Sequence, residues 1–292
     1  MTNPTPPDPR DPQPSAPSAS PARTPRAGAV TSITVSALII GALALAATGG
    51  NAAIAATGQF TGVDGPVAQG TSLDVTGVTK LTLDAGGGSV TIRYADVPEA
   101  TLRSTGRGSG NWTMHREGGT LVVESPRAVL GWWVDGWFQD GPSTTLTLPD
   151  DLSGRLDADL TLEAGALDAQ GDFGTLKAKL SAGMMTLDGS ARDVTARVDA
   201  GAATLHLSDV ATADLTMSAG RLDATLTGSQ PDSVKLDVSA GAMDVTVPSG
   251  SYALSKDVSA GSLDARIPTD SSSDHRVQVD LSAGSISLRS GS

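Results

Sequence analysis

The sequence predicts an all-β fold: a β-solenoid-like stack of about eight rungs with a period of about 20 residues. We expect one transmembrane helix and a disordered tail before this stack. Two observations predict the stack. The tripeptide Ser-Ala-Gly, or a close variant, recurs through the second half of the chain, and each copy lies between two runs of alternating apolar and polar residues. Such repeats are typical of units that bury their apolar faces against one another.

The glycines of this motif define the period. Seven of them are spaced 18, 18, 19, 21, 20 and 23 residues apart, at Gly165, Gly183, Gly201, Gly220, Gly241, Gly261 and Gly284, and Gly88 belongs to an earlier copy. On both sides of each glycine the apolar residues have a period of two, which predicts strands with one buried face. The phase changes at the glycine, so we expect a bend or bulge there.

Short, turn-rich segments connect the repeats and are too short for helices, so successive repeats should hydrogen-bond to each other. An antiparallel two-sheet sandwich would also satisfy the alternation, but the regular period favours the stack. The regular rungs occupy residues 156–292. Residues 64–155 hold the first rung and an irregular β region.

The first 63 residues have a different composition. Residues 1–26 are rich in proline, serine and alanine and should be disordered. Residues 27–47 carry no charge, and at about 1.5 Å per residue they could cross a hydrocarbon core of about 30 Å. Residues 48–63 should form a flexible linker. We therefore predict an anchor in the membrane.

The orientation of this anchor follows from its flanking charges. Arg23 and Arg26 precede the span, and no charge follows it until Asp64. The positive-inside rule therefore predicts a single-pass protein of the cell membrane, with its amino terminus in the cytoplasm and its repeats outside. A cleaved signal peptide is the alternative, because Ala44-Leu-Ala46 and Ala53-Ile-Ala55 are small-x-small patterns.

A tryptophan-rich segment interrupts the irregular region. It contains Trp132, Trp133, Trp137 and Phe138. Such a loop could cap the open end of the stack, dip into the lipid interface or bind a protein partner. We single it out as a candidate membrane or partner contact.

Aspartates recur at outward positions of the repeats. In a stack that follows the order of the sequence, Asp223, Asp244 and Asp264 would be adjacent and could bind a cation such as calcium. Another outward position, four residues before the glycine, carries Asp84, Asp237, Asp257 and Asp280. Solvation of an exposed face is the alternative interpretation of both sets.

Nothing in the sequence indicates catalysis. The three histidines are scattered, and motifs for nucleophilic serine, phosphate or zinc chemistry are absent. The chain has no cysteine, and its net charge of −12 disfavours binding to nucleic acid. We therefore predict no enzyme activity, no catalytic residues, no metal centre and no cofactor.

The Ser-Ala-Gly repeats follow three shorter motifs: Leu81-Thr-Leu-Asp-Ala-Gly-Gly-Gly-Ser-Val-Thr-Ile92, Gly119-Thr-Leu-Val-Val123 and Thr145-Leu-Thr-Leu-Pro149. Over about residues 75–290, this succession resembles the bacterial family of β-strand-repeat domains labelled "putative adhesin", a membrane-anchored domain of unknown function. The resemblance implies an exported or anchored protein, and some members resemble proteins of envelope-stress systems. It implies no catalytic or binding residues.

These observations lead to two functional hypotheses. The first is a non-enzymatic, extracytoplasmic adhesin or envelope structural protein that binds a cell-envelope component. The second is a sensory or regulatory module of an envelope-stress system that acts through a membrane protein. We also expect end-to-end homodimers, because the last rung, at residues 277–288, would leave an open strand edge.

Overall fold

The computed structural model describes residues 69–106, 112–125 and 142–291, and this part of the chain is all-β. Seventeen strands belong to one sheet, and a short 3-10 helix covers Asp150–Leu152. The strands are β1 (Gln69–Leu73), β2 (Lys80–Ala85), β3 (Ser89–Ala95), β4 (Ala100–Thr105), β5 (Thr113–Glu117), β6 (Thr120–Glu124), β7 (Ser143–Pro149), β8 (Asp157–Val198), β9 (Ala202–Ser208), β10 (Thr212–Met217), β11 (Arg221–Thr227), β12 (Ser233–Val238), β13 (Ala242–Val247), β14 (Ala253–Val258), β15 (Ser262–Arg266), β16 (Arg276–Leu281) and β17 (Ser285–Ser290).

The predicted tail, membrane span and linker, residues 1–63, lie outside the described residues. Within the described ranges, no helix is long and apolar enough to cross a membrane.

The repeats pair with one another in parallel. The long strand β8 contains two corner glycines, Gly165 and Gly183, and therefore contributes to two ladders. Strands that precede a corner glycine form one ladder, in the order β8, β10, β12, β16 and β14. Strands that follow a corner glycine form a second ladder, in the order β8, β9, β11, β13, β17 and β15. We call these the pre-glycine and post-glycine ladders. Because equivalent residues of the repeats are paired in parallel, the antiparallel sandwich is excluded for this region.

The order of the last repeats differs from their order in the sequence. The carboxyl-terminal repeat, β16 and β17, lies between the β12–β13 repeat and the β14–β15 repeat. After β13, the chain thus leaves the adjacent place in the stack free and forms the β14–β15 repeat one place further on. After β15, it returns and fills the free place with β16 and β17. This path explains the longer spacing of 23 residues between Gly261 and Gly284. Our expectation that residues 277–288 form the open edge is therefore wrong, because that repeat has a neighbour on each side.

Glycine is required at the corners between the two ladders. Gly201 has φ +116°, and a Cβ there would overlap the carbonyl oxygen of Gly183, its counterpart in the adjacent repeat. The same overlap recurs along the column of corner glycines, in the order Gly88, Gly165, Gly183, Gly201, Gly220, Gly241, Gly284 and Gly261. The recurring tripeptide therefore reflects close backbone contact between repeats as well as an unusual backbone angle.

The core consists of the apolar side chains that alternate along both ladders. Leu215, Leu236, Leu205 and Val245, for example, are almost fully buried. The alanines before the corner glycines behave differently. Ala164 is buried, but most of its counterparts are exposed, so the core ends before the corner.

One end of the stack is covered by antiparallel strands. β6 and β7 pair in parallel with β2 and β3, and thus extend the stack beyond the Gly88 repeat. On their other sides, β5 pairs with β6 and β4 pairs with β7, both antiparallel. β1 then pairs with β4. The irregular β region predicted from the sequence therefore caps this end with antiparallel strands.

Both tyrosines of the chain have raised pKa values. Tyr252 is fully buried beside the turn after β13, and its hydroxyl donates a hydrogen bond to the Pro248 carbonyl oxygen at 2.7 Å. Burial raises the pKa of Tyr252 to about 12. Burial, reinforced by the Asp172 carboxylate, also raises the pKa of Tyr94 well above its usual range. The folded state therefore favours the neutral phenol at both positions.

This shift predicts how stability depends on alkaline pH. Because the pKa of Tyr252 is higher in the folded state than in the unfolded state, its neutral phenol stabilises the fold. This stabilisation is complete below the unfolded pKa of 10.0 and is lost as the pH rises through about 12. In a pH titration, phenolate absorbance should appear only together with the loss of β-sheet circular dichroism. The denatured chain, as a control, should ionise near pH 10. A tyrosine that ionises near pH 10 while the sheet remains intact would contradict the burial described here.

Candidate functional site

The predicted cation site is already partly occupied by an arginine. Asp223 and Asp244 are paired in register on β11 and β13, as the sequence predicted. The Arg221 guanidinium contacts both carboxylates, at 2.9 Å from Asp223 and 2.8 Å from Asp244. Its hydrogen bond to Asp223 is the main cause that raises the pKa of Arg221, and the negative charges of both aspartates raise this pKa further. The side chain therefore neutralises the two like charges that neighbouring strands bring together.

Asp264 does not join this pair. It is in register with Ser287 of β17, and Ser287 is in turn in register with Asp244. The expected row of three adjacent aspartates is thus interrupted, because the carboxyl-terminal repeat lies between β13 and β15. Asp264 forms its own ion pair with Arg266 at 2.9 Å. In the described part of the chain, no three His, Asp or Glu side chains are grouped so that they could hold a metal ion.

The structure instead brings together a different set of three aspartates. Asp237, Asp280 and Asp257 are in register on β12, β16 and β14 of the pre-glycine ladder. We call them the acidic column. Gln278 donates a hydrogen bond to Asp280 at 2.8 Å. Among the described residues, none of the three carboxylates forms an ion pair within 4.0 Å.

The acidic column could have been found in the sequence. Its members all lie four residues before a corner glycine. Their order in space could not be predicted from the sequence. Asp280 lies between Asp237 and Asp257 because the last two repeats are exchanged in the stack. Parallel neighbours are about 4.8 Å apart, so these charges form a dense negative stripe on the outer face.

The tryptophan-rich segment lies outside the described residues, and with it Trp132, Trp133, Trp137 and Phe138. The residues that flank it pair with the Gly88 repeat. The Ser125 amide donates to the Asp84 carbonyl oxygen, and the Ser89 amide donates to the Pro142 carbonyl oxygen, both at 2.9 Å. Ser125 and Pro142, which bound this segment, thus lie next to the Gly88 repeat. The edges of β6 and β7 are covered by β5 and β4. The three hypotheses for the segment itself, an end cap, a lipid contact and a partner contact, stay predictions.

The histidines are dispersed over the structure. His206 contacts Asp188 on the adjacent strand at 2.9 Å, and both side chains are exposed. His275 contacts the Pro231 carbonyl oxygen at 2.9 Å, and His115 contacts Glu117 at 3.2 Å. Each histidine thus has a local polar partner on the surface or in a turn. The prediction that the chain is not an enzyme stays a prediction.

No family model matches this chain, and no curated protein matches it. Several solved structures resemble it at low identity. A "putative cell adhesion protein" from Clostridium sporogenes is 14% identical, with a TM-score of 0.39, over 78% of this chain and 100% of that one. A "putative adhesin" from Bacteroides fragilis is 12% identical, with a TM-score of 0.43, over 76% of this chain and 97% of that one. Another from Parabacteroides distasonis is 12% identical, with a TM-score of 0.39, over 77% and 98%.

Proposed function

We propose that this chain is a non-enzymatic adhesin or structural protein of the cell envelope. Its repeats form a β-solenoid-like rod, anchored through residues 27–47 with the amino terminus in the cytoplasm and the rod outside. The rod binds an envelope component through its acidic outer face. The parallel, in-register pairing of the repeats supports the rod, because each repeat then adds one layer in the same direction.

The observation that carries the binding role is the acidic column. On the post-glycine ladder, Arg221 neutralises the nearest pair of aspartates. On the pre-glycine ladder, the carboxylates of Asp237, Asp280 and Asp257 have no such partner among the described residues, although like charges on neighbouring strands destabilise a sheet. A cationic group of an envelope polymer or protein would remove that cost by binding across the three strands.

This role predicts a loss of binding when the acidic column is neutralised. The variant Asp237→Asn, Asp257→Asn, Asp280→Asn should be retained less well on isolated cell envelopes than the wild-type full chain. Exposed charge contacts contribute roughly 0.2–1 kcal/mol each, so three should change retention by about threefold to a hundredfold. Added salt should also reduce the retention of the wild-type chain, because salt screens interactions between exposed charges.

A matched control is Asp214→Asn, because Asp214 also faces outward on the pre-glycine ladder but is in register with Lys235. It should leave retention unchanged. Equal retention of the triple variant and the wild-type chain, in low and high salt, would contradict binding through the acidic column.

The second candidate is a sensory or regulatory module that acts through a membrane protein. One observation favours it: the tryptophan-rich segment lies between Ser125 and Pro142, which both hydrogen-bond to the Gly88 repeat. Tryptophan is enriched at sites that dominate binding energy. A variant with Trp132→Ser, Trp133→Ser and Trp137→Ser decides between the two. Specific capture of a membrane protein that this variant abolishes would favour the regulatory role, and retention unaffected by it would favour adhesion.

A further inference from the structure

The end of the stack opposite the antiparallel cap is open. β14 pairs only with β16, and β15 only with β17, within the ranges that the structure describes. Residues 268–270 pair with Tyr252 just before β14. Beyond that point, the outer edges of both strands present backbone donors and acceptors. Val258 is 38% exposed, although its partner in the adjacent repeat, Leu281, is buried. Such an edge is a template for pairing with another chain.

A lysine occupies a core-facing position at this end. Core-facing residues of the pre-glycine ladder are in register across the repeats, and one such column reads Ala196, Leu215, Leu236, Val279 and Lys256. The first four are buried, whereas Lys256 is exposed. Paired residues of a ladder point to the same face of the sheet. Lys256 is therefore the one charge in this column, and it lies in the outermost repeat.

The position of Lys256 accounts for the exchanged order of the last two repeats. If the repeats stacked in sequence order, Lys256 would lie between Leu236 and Val279 in the core. An ammonium group without a partner is very costly to bury. The carboxyl-terminal repeat offers Val277, Val279 and Leu281 at the equivalent positions. Placing that repeat inside leaves the ammonium group in water.

We propose that Lys256 closes this end of the stack to a second copy of the chain. A copy that extended the pre-glycine ladder at β14 would cover the core-facing column and bury the ammonium group. In an end-to-end pair of identical edges, both lysines would be buried close together and would repel each other. An inward-facing charge on an edge strand is a known way to prevent edge-to-edge association. This proposal reverses the homodimer expected from the sequence, and it is independent of the proposed binding function.

The test is the oligomeric state of the full chain, measured by sedimentation in a mild detergent over a wide concentration range. The wild-type chain should be monomeric, and Lys256→Val should form dimers with twice its mass. The matched control is Lys235→Val, which removes a lysine from an outward position of β12 that is in register with Gln278. It should remain monomeric. A wild-type dimer, or a Lys256→Val variant that remains as monomeric as Lys235→Val, would overturn the proposal.

A second measurement establishes which repeat is at the end. Because the chain has no cysteine, introduced pairs can report strand neighbours through disulfide formation. Neighbouring strands are about 4.8 Å apart, within the roughly 4.4–6.8 Å that a disulfide requires. Asp237→Cys with Asp280→Cys should therefore cross-link. Asp237→Cys with Asp257→Cys, two strands apart, should not. Cross-linking of the second pair instead of the first would place β14 inside the stack and overturn the proposal.

Discussion

The variant Gly201→Ala should lose more than about 4 kcal/mol of unfolding free energy, an exceptional effect for a single methyl group. Gly201 has φ +116°, a conformation that costs a residue with a Cβ about 1–3 kcal/mol. The added Cβ would also overlap the backbone carbonyl of Gly183. Since that oxygen belongs to the adjacent repeat, the clash can be relieved only if the two repeats separate. Chemical denaturation followed by circular dichroism measures the loss.

Gly77→Ala separates these two contributions. Gly77 has φ +76°, but a Cβ there would meet nothing within 4 Å. Its substitution should therefore cost only the backbone term, about 1–2 kcal/mol. If Gly201→Ala were no less stable than Gly77→Ala, the close stacking of the corner glycines would be contradicted.

The second large effect distinguishes the last two repeats. Ile286→Ala should cost about 2–5 kcal/mol, the range for truncation of a large buried side chain. Ile286 is 1% exposed because it packs between Met243 and Leu263, its register partners on either side. Leu263 holds the same position in the outermost repeat and is only partly buried. Leu263→Ala should therefore cost about 1 kcal/mol or less.

The two variants form a matched pair, since both shorten an aliphatic side chain at the same position of a post-glycine strand. In a stack that followed the sequence order, Leu263 would be inside and Ile286 outermost, and the ranking would be reversed. Unfolding curves for both variants and the wild-type chain test the order. A larger loss for Leu263→Ala would contradict the exchanged repeats.

The sequence predicted which aspartates of the candidate site face outward, but only in part which of them are neighbours. The alternation of side chains identified Asp223, Asp244 and Asp264 as outward-facing, and the pairing of the first two was predicted. The place of Asp264 was predicted wrongly, because adjacency was inferred from the order of the repeats. Arg221 also escaped attention, since its contacts with two strands depend on their packing.

The strands and their corners depend on local properties, and the sequence therefore predicted them well. Alternation with a period of two identifies a strand with one buried face, and a glycine between two phases identifies a bend. The regular spacing of these features also predicted that successive repeats would be neighbours, as most of them are.

The order of the last two repeats was decided at the tertiary level, because it depends on a comparison between them. Both have the strand pattern, but only the carboxyl-terminal repeat is apolar at every core-facing position of its pre-glycine strand. Lys256 breaks that pattern in the other, and this signal was visible in the sequence. Its consequence was not, since the cost of burying a charge appears only when the packed alternatives compete for the same place.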